Sequence, residues 1–312
     1  MNDPAQFELS ETLLAVCLLV FSASVALWVW IVRRAIHGKP IMPYAWRRPV
    51  PWQAVDLLVV AAFYYLIPSA IFDLDRRLFP VPLTPAADKV DEVAASTEHP
   101  VLVLLRQDRT PSTLVVCLVA VVLVAPIAEE ILFRLLLQGA LEGAERRWRR
   151  LARGAGLLLR GPMPLIGSSL AFALLHARGA APPPDARLVF HILVCGMLGN
   201  TVTVVLALAL VRVRAGASAV DLGWQRDKLA DDLKLGLGTA LSVVPWLYVV
   251  QVSMTALLPK SISADPITLI PFAFVLGLLY YRTHRIFPSI LLHMALNATS
   301  LALALSVLPK GL

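Results

Sequence analysis

The chain has 312 residues, 58% hydrophobic and only 16% charged, with a mean hydropathy of +0.73. Soluble domains run nearer about 45–50% apolar and about 25% charged, so an ordinary soluble globular protein is excluded. The net charge of +7 comes with no groove-reading motif, which argues against nucleic acid as a partner and leaves the anionic lipid bilayer as the counterpart of the arginines.

The apolar residues fall into eight blocks, about 11–32, 52–72, 111–141, 162–178, 188–211, 235–258, 266–281 and 286–308. Such lengths suit helices crossing about 30 Å of hydrocarbon. The expected fold is all-α: a polytopic transmembrane helical bundle of about eight spans, in a single integral membrane domain over 1–312. The first block follows Asp3, Glu8 and Glu11 and runs into Arg33-Arg34. It therefore reads as a retained anchor rather than a cleavable signal. With the N-terminus outside, eighteen Lys and Arg fall in the inside connections and nine in the outside segments. That bias places both termini of a multi-pass protein outside the membrane; a bacterial plasma membrane is the expected location.

Residues 1–110 comprise the N-terminal spans and a long polar, proline-bearing outside loop from 73 to 110, expected to be mobile. Residues 221–235 place Leu222, Leu229 and Leu233 at helical spacing between charges, which predicts a short interfacial helix. Cys17, Cys117 and Cys195 lie in three different blocks without CxxC spacing, so neither a disulfide framework nor a thiolate metal site is indicated.

The third block carries Glu129, Glu130 and Arg134 at bilayer depth. Ionisable groups there cost several kcal/mol, roughly, and are rare outside functional sites. Glu130 and Arg134 are i,i+4 neighbours and can pair. Glu129 is turned by about 100° and faces elsewhere, so one carboxylate is held while the other is left to act. An ion-paired packing motif in a scaffold or transporter accounts for the same residues. The fourth block pairs Phe172 with His176, and the last pairs His293 with Asn297, each on one helical face. His191 has no polar partner four residues away and reads as a core histidine; His284 lies in a short connection. At about 1.5 Å per residue, Glu129 and His176 lie at matching depth, roughly 20 Å from the inner ends of their blocks. His293 falls only about 10 Å from residue 286 by the same measure, unless the 282–285 connection is drawn up into the protein.

Taken in order, Glu-Glu-x-x-x-Arg, Phe-x-x-x-His and His-x-x-x-Asn resemble the CPBP family of intramembrane proteases. These are the type II CAAX prenyl endopeptidases and the related bacteriocin-processing, or Abi, proteins. The resemblance covers a core of 111–178, with the first two motifs, and 266–308, with the third. Two additional spans over 188–258, with the interfacial segment, separate the second and third motifs more widely than is usual in the family. The resemblance implies hydrolysis of peptide bonds in a membrane-embedded or lipidated protein or peptide. Glu129 would activate a water and His176 would share it. His293 and Asn297 would hold the oxyanion, and Glu130 would be oriented by Arg134. Alternatively Glu129, His176 and His293 would bind a divalent metal, zinc by ligand type; a metal-free mechanism needs the same residues. A catalytically inactive scaffold or immunity protein of this fold, or a proton-coupled transporter, are the competing readings.

Overall fold

The computed structural model describes residues 11–45, 50–80, 100–151, 162–176, 186–257 and 265–307. Among them there is no strand, and the chain is an all-α polytopic bundle. The helices are α1 (Glu11–Ile36), α2 (Ala54–Leu78), a short α3 (Pro100–Gln107) and a long α4 over 111–151. They continue with α5 (Pro162–Leu175), α6 (Ala186–Arg214), α7 (Leu229–Leu257), α8 (Asp265–Thr283) and α9 (Phe287–Val307). Among the described residues six helices are long and apolar enough to cross a membrane, while α5 and α8 are apolar but shorter. The apolar side chains that α1 and α2 leave exposed suit a protein whose surroundings are hydrocarbon. The chain is an integral membrane protein.

Two sequence expectations are corrected. The stretch 73–110 is not a polar loop throughout. Helix α2 continues to Leu78, and α3 buries Val101, Leu104 and Leu105 with Cys117, Ala186 and Val189. The apolar run Val101-Leu-Val-Leu-Leu105 gives α3 a face to bury, and the flanking charges had masked it. The segment 81–99 lies outside the described residues. Nor is there a separate interfacial helix at 221–235. One tight turn, Arg226–Lys228, leads directly into α7, whose Leu229 and Leu233 lie on an exposed side. Asp232, one of the charges between those leucines, is buried and pairs with Arg285 at 2.9 Å.

Helix α4 is not uniform. Leu118–Val124 and Ile131–Gln138 are π-helical, and they flank a short α-helical stretch, Ala125–Glu130, that carries both glutamates. Pro126 explains part of this. The Ala125 N–H bonds Ala120 O, five residues back, and the next bond in that register would reach Val121 O from residue 126, which has no N–H. An orphaned carbonyl within the bundle needs another donor, and the site supplies one, as described below. π-Helical turns within longer helices occur frequently at functional sites.

Close packing positions the remaining helices. A Cβ at Gly277 of α8 would collide with Leu165 of α5 and sit 3.0 Å from Gln138 Oε1. Gly277→Ala is therefore expected to lower stability by about 1–3 kcal/mol, the usual effect of overpacking, read as a fall in unfolding temperature in one detergent. Between α8 and α9, residues Thr283, His284, Arg285 and Ile286 are all buried. His284 takes a left-handed backbone, φ 50°, and its Nδ1 lies 3.8 Å from Glu142 Oε2. At Gly223, φ +74°, an added Cβ would stand 2.9 Å from Ile286 N. The connection is thus enclosed by α4, α7 and the turn before α7 rather than lying at a bundle surface, which raises the start of α9 into the protein.

Candidate active site

His293 consequently reaches the glutamates. Its Nδ1 lies 3.1 Å from Glu130 Oε1 and its Nε2 3.7 Å from Glu129 Oε2. His176, at the end of α5, places Nε2 3.5 Å from the same Glu129 oxygen. Three helices, α4, α5 and α9, therefore bring Glu129, Glu130, His176 and His293 together. The two carboxylates diverge as their adjacent positions require: Glu130 turns inward, completely buried, while the Glu129 side chain is 16% exposed and that of His176 25%. Glu129 is thus the more open of the two, although its Oε2 is itself enclosed.

The hydrogen bonds fix the ring orientations. His176 Nδ1 lies 2.8 Å from Phe172 O, and a carbonyl only accepts, so that nitrogen carries the proton. In the neutral ring Nε2 then presents a lone pair towards Glu129. Glu130, paired with Arg134, offers acceptor oxygens, so His293 Nδ1–H donates to Glu130 Oε1. Phe172, fully buried, fills the space behind both rings, 4.5 Å from His176 and 5.7 Å from His293 between centroids. The Arg134 guanidinium stands 5.1 Å from its ring centre, within cation–π range. Arg134 Nε meets Glu130 Oε2 at 3.5 Å, the i,i+4 pair expected from the sequence.

Asn297 enters differently from expectation. Its Nδ2 donates to Val121 O at 2.8 Å, supplying the donor that Pro126 withholds. One of its two amide hydrogens therefore ties α9 to α4, and only the other can be offered to a ligand. His191 also has a partner, Asp75 of α2 at 2.8 Å; a partner on another helix is invisible to i±4 spacing. Three buried side chains at the site were not singled out from sequence. Phe272 packs on His293 at 5.3 Å between centroids. Ser168 accepts from Arg134 Nη1 at 3.4 Å, and Gln138 lies beyond it. Phe272 left no signal, but Gln138 did: it extends Glu130 and Arg134 by one more step of four.

Zinc ligands lie about 2.0–2.3 Å from the ion and close round it. Among the described residues no three His, Cys, Asp or Glu side chains are so arranged. The donor types suit a divalent cation, which Glu129, His176 and His293 would hold; no step below is routed through a metal.

The family model that matches the chain is the type II CAAX prenyl endopeptidase Rce1-like family, over residues 111–220 and 228–299. The chain belongs to this family. The Rce1-like match includes α6 and all of α7, between the second and third motifs, and breaks only at 221–227. It takes in every residue of the site. Rce1-like membership supports an intramembrane CAAX-type protease, a hydrolase. No curated protein and no solved structure matches the chain.

Proposed function

We propose that the protein is an intramembrane endopeptidase in which Glu129 activates a water to hydrolyse a peptide bond of a membrane-associated protein or lipidated peptide. The observation that carries this reading is the shared contact of Glu129 Oε2: two imidazole Nε2 atoms stand 3.5 and 3.7 Å from it. This oxygen has no hydrogen-bond partner, and its distances to the rings are those one bridging water can span. Glu129 takes a proton from that water, and the water oxygen attacks the scissile carbonyl carbon. His176 Nε2, presenting its lone pair, orients the water by accepting its second hydrogen. His293, between Glu129 and Glu130, meets the developing oxyanion through Nε2–H when both ring nitrogens carry protons, and the second Asn297 amide hydrogen is the other candidate donor. As the C–N bond breaks, Glu129 returns its proton to the leaving amine, giving a new C-terminus and a new N-terminus. Fixed donors in a water-poor site are the arrangement that stabilises such charge most strongly.

The inactive-scaffold reading is weakened because no acidic or histidine position of the motifs is lost. The transporter reading lacks inverted repeats. The test is cleavage by purified protein in lipid nanodiscs of a farnesylated CAAX peptide and of a non-prenylated transmembrane peptide, each with and without chelator. Cleavage of either at a defined bond, insensitive to chelation, is expected. No cleavage of any membrane peptide would return the scaffold reading, and loss on chelation with recovery on zinc would return the metal.

A further inference from the structure

Gln138 and Ser168 are both fully buried, beyond the reach of any substrate at Glu129. Burying an amide and a hydroxyl costs free energy that apolar residues of similar shape avoid, so packing alone gives no reason for them. Their hydrogen bonds run in one direction. Gln138 Nε2 faces two acceptors, Gly277 O at 3.0 Å and Glu142 Oε1 at 3.3 Å. Both amide hydrogens are thereby spent, and the orientation of the amide is set. Its Oε1 must then accept, and Ser168 Oγ, whose one hydrogen also has Leu165 O within reach at 3.2 Å, stands 3.1 Å from it. With its hydrogen on either acceptor, Ser168 Oγ presents lone pairs to Arg134 Nη1 at 3.4 Å. Arg134 Nε faces Glu130 Oε2, and Glu130 Oε1 accepts from His293 Nδ1. Hydrogen bonds run from the backbone of α8 through α4 and α5 to Arg134, and its buried ion pair with Glu130, at 3.5 Å and without a hydrogen bond, carries the connection to the imidazole on α9.

We infer that Gln138 and Ser168 are positioning residues, which anchor Arg134 so that Glu130 is held against His293 Nδ1 and the opposite ring nitrogen points at Glu129. The inference rests on the hydrolytic reading above. A lone i,i+4 pair at 3.5 Å leaves two long side chains free to change rotamer, and a second anchor on the guanidinium removes that freedom. Gly277 belongs to the device, since its carbonyl takes the Gln138 amide and its missing Cβ makes room for Gln138 Oε1.

The test uses full-length protein in nanodiscs carrying Gln138→Met, close in length and volume, or Ser168→Ala. Histidines are labelled with nitrogen-15, and the His293 ring signal is identified by its loss in His293→Gln. Both variants are expected to shift or broaden the Nδ1–H resonance of His293 in the direction seen for Glu130→Gln. Their kcat on the farnesylated CAAX peptide is expected to fall about tenfold, with KM within about twofold, as for groups that act on the transition state rather than on binding. A His293 resonance unchanged in both variants overturns the inference, whatever the activity does. If Gln138→Met does not fold, Ser168→Ala, which deletes one oxygen, decides alone. A moved resonance in protein whose wild type cleaves nothing supports the positioning and counts against the protease reading, so the two fail separately.

Discussion

Glu129→Gln is expected to reduce cleavage of a membrane peptide by about 10²–10⁴-fold, the range for removing a general base, while leaving the fold intact. The amide keeps the size of the carboxylate but cannot take a proton from water. The structure separates this loss from unfolding, because the buried ion pair of α4 is made by Glu130, and Glu129 Oε2 makes no direct hydrogen bond. The unfolding temperature should therefore stay close to wild type, and the variant should still hold substrate, making it the form with which to trap one in native membrane. His176→Ala should also lose most activity, since the water would keep its base but lose the lone pair that orients it. Wild-type cleavage rates in purified Glu129→Gln would remove Glu129 from the mechanism and leave its exposure unexplained.

The division of labour between adjacent glutamates was legible in the sequence because helix geometry alone turns neighbours apart, and Arg134 four residues on marks which one is held. The meeting of His176 with Glu129 followed from depth along two helices. His293 did not, because depth counted from residue 286 assumes that the connection lies at the membrane surface. Arg285 with Asp232, and the close approach at Gly223, instead hold that connection inside the protein, and neither contact has a local sequence signal. Asn297 shows a different limit. Its motif spacing was plain, but its main partner is a backbone carbonyl that only the π-helical register around Pro126 leaves available. Backbone groups have no letter in the sequence. The helices were read well from apolar runs, although among the described residues only six of the eight expected spans are long and apolar enough to cross a membrane. Helix α3 was hidden by its polar flanks and the start of α7 by charges that prove to lie partly inside the fold. The two helices set apart by the sequence reading as additional are ones through which the Rce1-like match runs.

Arg134→Met is expected to be the most destabilising single change at the site, by about 3–5 kcal/mol, the usual cost of removing one partner from a buried ion pair. Both side chains are 0% exposed, so no water can replace the guanidinium beside Glu130, and Ser168 loses its donor in the same step. The expected cause is the stranded charge rather than the lost contact, and a second change distinguishes these. Adding Glu130→Gln to Arg134→Met removes the charge and should recover most of the stability, because apolar and neutral replacements of a buried pair are often close to neutral together. The recovery, measured by thermal unfolding of all four proteins in one detergent, gives the coupling directly. Activity should not recover with it. The amide oxygen that Glu130→Gln introduces can still accept from His293 Nδ1, but a neutral acceptor makes roughly half as strong a bond as a carboxylate, and the ring must gather positive character as the oxyanion forms. Cleavage by the double variant is therefore expected to stay at least about tenfold below wild type, consistent with the loss of a charge-assisted bond. A double variant both stable and fully active would make the pair a packing device, the reading from which Glu130 and Arg134 could not be separated on sequence alone.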